Sequence, residues 1–573
     1  TGTGFNSGIG LWTPLVGTAF TVTDVTIANV HAGVAFSDTL TSTTVLMKNV
    51  VTSSIVADAL YVAALAAGTG SFTIEGGSWA GGARGLAFTA AVAIPVTIKN
   101  VVAVGAADAG LHFAAGLTST SVRVSGGSFT GATDGIDVVG TIDSGSRFDV
   151  AAAVVVGGAK AIDIADLQGP LSVTDVVATA TATGHCLDIV SMTAAAVYIA
   201  RGTYSSNSGY TLKFPALDSS SGVTLDGVIA TSAAARAVEF AAVAGDVSVT
   251  GGTFSGPSHG ISFLGAVAAT GRVAVRDATL SSSVWEALRF TAVIDGSVAV
   301  SGCVITCSSA TTATVLFADN ANGPIAVSKT TVVGTFYGIV LKHPRAVATF
   351  TEVAITAGAG GIGLNVVSIV AGTIIFSGGS IAAVDQAISL PAVDSASSLT
   401  LNDATVSSAA STAVVVTAAL DGAIKITDSF LAGDKPSILI SGAASSTASI
   451  SVERSALECT GAFNALRLDS TFAGRLVISL STLKSASSAA IFGNAAVSGA
   501  VKLQLTTVTS ATANCVQLAS LTGGGSLEIS GGAITATTAS AVVIDGTVDG
   551  TSSVALTEVT TLGAAKGVHI VGA

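Results

Sequence analysis

The chain has 573 residues, of which 50% are hydrophobic but only 5% aromatic and 10% charged, with 66 Gly, 9 Pro and 2 Met. So low a charged fraction is foreign to ordinary globular enzymes, and so high a hydrophobic share excludes a disordered chain. The 35 acidic and 23 basic residues leave a net charge of −12 with the basic residues scattered singly, which argues against nucleic acid; Ser, Thr, Gly or Asp breaks every apolar run before the roughly 18 residues of a membrane span, which argues against insertion.

Residues 1–17 carry Phe5, Ile9, Leu11, Trp12, Leu15 and Val16 with Pro14 and no clear period, so they read as an irregular segment or a partial rung. From residue 18 to 573 one unit repeats. Gly-Gly, a small residue and an apolar one recur at Gly76–Trp79, Gly126–Phe129, Gly251–Phe254, Gly378–Ile381 and Gly531–Ile534, at spacings close to multiples of 25. Taking the apolar residue two before each first Gly as an anchor gives a series from Val22, Met47, Ile74 and Ile98 through to Leu503, Ile529 and Leu556. These 22 anchors lie about 25.4 residues apart on average, the signature of a repeat architecture.

Each unit has the same order of parts. Around the anchor, apolar and polar residues alternate, as in Val247-Ser248-Val249-Thr250, which predicts a strand with one buried face. Two residues past the anchor stands a column rich in Gly, Asn and Asp (Asp24, Asn49, Gly76, Asn100, Gly126, Asp175), the residues that tolerate positive φ, so the chain is expected to bend there. Five past the anchor an apolar residue returns (Ile27, Trp79, Phe129, Tyr204), predicting a second short strand. An apolar-x-apolar pair some 12 to 14 past it (Leu86/Phe88, Leu111/Phe113, Ile136/Val138, Leu212/Phe214) predicts a third.

Three short strands per unit, without helical pattern, predict an all-β, single-stranded parallel β-helix of about 22 rungs of about 25 residues. The pattern, with its Asn- and Gly-enriched bend, resembles the pectate-lyase-like right-handed β-helix superfamily, and the right hand is what that resemblance implies. The Ala, Val, Ser and Thr composition is also similar to the β-helical surface proteins of the trypanosomatid dispersed gene family. The compositional likeness carries no site residues, and within the superfamily the chain is read as the non-catalytic surface or adhesin type.

In chain order, four features invite a chemical reading. Asp134 and Asp137 flank Gly135-Ile136, and with Ile136 inward both carboxylates are expected outward at a solvated turn, short of the six or more oxygens a calcium site wants. Ser258-His259-Gly260 is the only fragment matching the Asn-x-Asp, Asp-Asp, His-Gly and Arg-x-Lys set of polygalacturonase-like members. Without paired carboxylates, His259 reads as an exposed turn residue. Cys303 and Cys307 could bridge a turn, but five cysteines are too few for a disulfide framework and read as buried thiols. Gly523-Gly524-Gly525 lacks a Lys and reads as a loop between rungs.

No catalytic, cofactor-binding or metal residue is therefore assigned, and no cofactor is expected. Outward Asp, Glu, Arg and aromatic residues read as dispersed along the rungs, and the column just after the anchor mixes Thr with Lys, Glu, Asp and Arg, which breaks the uniform face that ice binding would need. There is no Asn-x-Ser/Thr sequon. Neither end supplies a polar cap, so we expect end rungs that either continue in a longer polypeptide, with any signal peptide upstream, or stack on a second copy to build a filament. The expected function is a non-enzymatic extracellular or cell-surface rod, structural or adhesive, self-associating through its ends; the alternative is a glycan-binding or carbohydrate-active β-helix acting on an acidic polysaccharide.

Overall fold

The structure is a computed structural model that describes residues 7–572. Phe5 and Ala573 lie outside the described residues. The architecture is a parallel β-solenoid of about 22 turns, all-β and without helix among the described residues, with rungs about 26 residues apart and two main parallel sheets. The chain divides into two compact units, Thr1–Ser283 and Val284–Ala573.

In the first unit the register follows the anchors. Val96–Gly105 pairs in parallel with Ser121–Gly131, setting Ile98 on Val124 and Ala103 on Phe129. Earlier, Ser7–Leu11 pairs with Ala32–Thr41, so Ile9 stacks on Val34 and Leu11 on Phe36. Third strands stack likewise, and their aromatic residues form columns: Phe88 on Phe113 at 4.9 Å, Phe214 on Phe240 at 4.9 Å and Phe240 on Phe263 at 5.0 Å between centroids. These offset stacks add to the area buried by β-branched neighbours that suit a pleated surface.

The second unit repeats the scheme. Val347–Ala357 pairs with Thr373–Ala383, placing Phe350 on Phe376 and Ile355 on Ile381. Of the anchors from Val22 to Leu556, all but Leu556 are buried. The second-strand residues Trp79, Phe129, Tyr204 and Phe254 are buried as expected.

The bend column explains why three strands make two sheets. Every residue two past an anchor has positive φ, from Asp24 (55°), Asn49 (51°) and Gly76 (66°) to Gly531 (67°) and Glu558 (54°). In this conformation the bend residue stays in the ladder: the amide of Asp24 donates to Lys48 O at 3.0 Å, and that of Asn49 to Glu75 O at 2.9 Å. First and second strands therefore share one sheet, and the third strands form the other. In the Gly-Gly rungs the second glycine is required for another reason. Gly77 has φ 87°, and a Cβ there would lie 2.1 Å from Val50 O of the neighbouring rung.

All five cysteines are buried and none is in a disulfide, and burial pushes the Cys186 thiol up to about 12. Gly523-Gly524-Gly525 is a turn between Val516–Leu521 and Ser526–Ala536, held where Asp549 Oδ2 accepts the Gly523 amide at 2.6 Å.

Candidate functional site

In a third strand the two apolar residues enter the core, so the residue between them must face outward. Read down successive rungs of the first unit, that middle position is His112, Asp137, Asp163, Asp188, Lys213 and Glu239. The strand register stacks each on the next. Three residues earlier on the same strands or their approaches stand Asp134 against Lys160 and Arg236 against His259. The solenoid thus gathers two adjacent columns of ionisable side chains on one outer face. This corrects the expectation that they are dispersed.

Outward does not here mean wet. Asp188 is 3% exposed and Asp137 8% exposed, because each is covered by its neighbours above and below. Stacking three carboxylates at the rung spacing of roughly 4.8 Å would cost about 3 kcal/mol per adjacent pair at an effective dielectric near 20. Cations from the same columns offset it. Lys160 Nζ lies 2.8 Å from Asp163 and 3.0 Å from Asp188, and Lys213 Nζ lies 3.3 Å from Asp188, while Asp137 Oδ2 shares a hydrogen bond with His112 Nδ1 at 2.7 Å. Arg236 pairs with Glu239, donates from Nε to His259 Nδ1 at 3.2 Å, and sits over the Tyr210 ring, which itself stacks on His185 at 4.9 Å.

The pair Asp134 and Asp137 is therefore not a solvated turn. Both lie in the strand Asp134–Ile142, and with Asp163 they bring carboxylate oxygens within 4.8 Å of one another. Burial first, then the charges of Asp137 and Asp163, raises Asp134 to about 6, against the lowering pull of Lys160 and a hydrogen bond with Thr133. Asp163 is also raised, mainly by burial, although Lys160 opposes it. For Lys160, burial works against the charge, but hydrogen bonds to Asp163 and Asp188 outweigh it and its pKa rises. Asp134 is accordingly the group able to hold and release a proton in mildly acidic solution. The positive charge nearest the three carboxylates is the chain's own lysine.

His259 also departs from expectation. It opens the third strand His259–Phe263, is 2% exposed, and takes part in the Arg236 and Glu239 network. No Asp-Asp or Arg-x-Lys accompanies it. Sequence reasoning missed Asp163, Asp188, Lys213 and Glu239, although the middle residue of each apolar-x-apolar pair, followed from rung to rung, would have exposed the column.

Fold and site together define a parallel β-solenoid with an ionic face on its first unit. No protein-family model matches the chain, and no curated protein is recognisably similar to it in sequence.

Proposed function

We propose that this protein is a non-enzymatic extracellular or cell-surface β-solenoid, a structural and adhesive rod that associates through its end rungs. The observation that carries the reading is the compactness of the coil: among the described residues no connection between consecutive strands exceeds eight residues, the longest being 264–271 and 441–448. Enzymes on rigid scaffolds build their sites from longer, variable loops. Here nearly the whole chain forms rungs.

The associative part is a hypothesis about strand edges in general: an open edge of a solenoid accepts a further rung of the same polypeptide and a rung of a second copy alike. The resemblance of the repeat to non-catalytic members of the pectate-lyase-like right-handed superfamily, and of the composition to the trypanosomatid dispersed gene family, points the same way. Negative-stain electron microscopy and sedimentation at rising concentration test it: end-to-end filaments are expected, and dispersed monomers at high concentration would overturn the associative reading.

A second reading is glycan binding, and the ionic columns bear on its ligand class. Between His112 and Lys213, Asp134, Asp137, Asp163 and Asp188 outnumber Lys160 and Lys213, so an acidic polysaccharide would be repelled and a neutral one would not. Incubation with pectic, alginate and host glycans is expected to release neither reducing ends nor unsaturated products; either product would establish an enzyme instead.

A further inference from the structure

The outer face that carries the ionic columns begins, nearer the N-terminus, with very small residues. Gly10 is in register with Ala35, and Ala35 with Tyr61. A Cβ on Gly10 would lie 2.7 Å from Trp12 Nε1, so the indole folds back across the strand only because that residue is glycine. Between Trp12 and Tyr61 this leaves a cavity of about 300 Å³ with a floor of alanines, Ala35 among them, and a polar edge made by Ser7, Ser37 and Asp58.

The chemistry of the walls restricts what fits. Asp58 is 5% exposed, and its charge is met by Arg84, with Nε 3.0 Å from Oδ1 and Nη2 3.3 Å from Oδ2. The carboxylate at the edge is therefore already paired, by an arginine outside the cavity lining whose Nε also lies 4.0 Å from Asp108 Oδ2. A buried ion pair satisfied in this way gives no attraction to a free ammonium or carboxylate, either of which would lose its hydration on entry. Among the described residues Ser7 Oγ is buried without a hydrogen-bond partner, a polar atom that a ligand hydroxyl would satisfy. Two aromatic faces offer an apolar surface for a ring, and the volume is at the lower end of small-ligand sites.

We propose that this cavity binds a single neutral sugar residue, the exposed end or branch of a glycan, with its apolar face against Trp12 and Tyr61 and its hydroxyls at Ser7, Ser37 and Asp58. The inference rests on the glycan-binding reading and supplies its ligand class: neutral pyranose, held at one pocket, not an acidic chain held along the columns.

The test is titration of the full chain with methyl glucoside, methyl mannoside, methyl galactoside and N-acetylglucosamine, with glucuronate and glucosamine as charged controls, read by tryptophan fluorescence and by ligand-observed NMR. Saturable binding of at least one neutral sugar is expected, with the charged controls weaker by about tenfold or more. Trp12→Ala and Tyr61→Ala are each expected to weaken it by about tenfold or more, with far-UV circular dichroism unchanged. Gly10→Ala should weaken it by displacing the indole, and Trp285→Phe in the second unit should leave it intact. No saturable response to any neutral sugar, equal binding of the charged controls, or full binding by Trp12→Ala would each overturn the proposal. Such a failure would not touch the associative reading, which filament formation decides separately.

Discussion

At the middle of the third strand the first unit carries His112, Asp137, Asp163, Asp188, Lys213 and Glu239, whereas six consecutive rungs of the second carry Leu316, Val340, Asn365, Ser389, Val415 and Leu439 at the same structural address. The backbone pairs in the same parallel manner in both. Val415 is as thoroughly covered by its rung neighbours as Asp188. The second unit is thus an internal control: the solenoid closes equally well with neutral residues in this column, so folding does not demand charge there. Buried ionic networks are in any case weak sources of stability compared with apolar packing of similar volume. What the first unit's columns supply is a chemically distinct face.

Four measurements break or sharpen that contrast. The largest effect is expected from Asp188→Ala, which leaves the ammonium groups of Lys160 and Lys213 without the carboxylate between them. It should destabilise the surrounding rungs by about 3 kcal/mol, against roughly 1.5 kcal/mol for Val415→Ala in the second unit. Hydrogen-exchange protection of the two regions reads both. Next, the double variant Asp188→Leu/Lys213→Val imports the second unit's chemistry, keeps Lys160 paired with Asp163, and should be neutral or up to about 2 kcal/mol more stable. A loss as large as that of the single variant would mean that the column is part of the folding code after all.

The third concerns pH. Asp134 titrates near 6 in the folded chain, above the value of 3.8 for a free aspartate, so the native state binds its proton more tightly than the unfolded state does. Its contribution is fully present below about pH 4 and is lost as pH rises through about 6. Asp134→Asn should therefore flatten the stability profile of the first unit between those values and, after allowance for solvent screening, gain about 1 kcal/mol at pH 7. Denaturant titrations at pH 4 and pH 7 check it, and a variant less stable than the parent at pH 7 would contradict the sign.

The smallest effect lies at the bends. In the first unit most positive-φ bends fall on Gly, Asn or Asp, but the second places Lys329, Glu352, Arg454, Leu480 and Leu505 there, all with φ between 48° and 55°. Side chains without a local hydrogen bond are disfavoured in the left-handed region. Leu480→Gly and Leu505→Gly should each stabilise the second unit by about 0.5–1 kcal/mol in thermal unfolding, while Asn49→Gly in the first should change little.

How much of this was legible depended on whether a property lives within one rung or between rungs. Anchors, second-strand residues such as Trp79 and Phe129, and bends such as Asp24 and Asn100 declare themselves locally, through alternation and through residue types that accept positive φ. The number of sheets did not, because the bend could equally have ended the ladder, and only the retained hydrogen bonds of Asp24 and Asn49 join the first two strands. The ionic face was harder still. Asp134 and Asp137 were visible as a pair but read as wet, since nothing in their own rung covers them; His112 and Asp163, some 25 residues away, do. Lys213 and Glu239 each resemble an ordinary polar residue between two apolar ones until register makes them neighbours. The Trp12 pocket depends on Gly10 lying across from Ala35, a pairing within a segment whose periodicity is too weak to set register.

The equal phase of the rungs has an evolutionary corollary. Val124 and Val150 are register partners, so deleting or copying the 26 residues from Val124 to Asp149 joins one anchor to the next in step, and every amide finds a carbonyl in the place it would have met one anyway. A slip of one residue would instead turn the interior outward. Tandem duplication and unequal recombination can thus lengthen or shorten such a gene in whole-rung increments, each product folding like its parent, while point changes on the outside diversify independently of the scaffold.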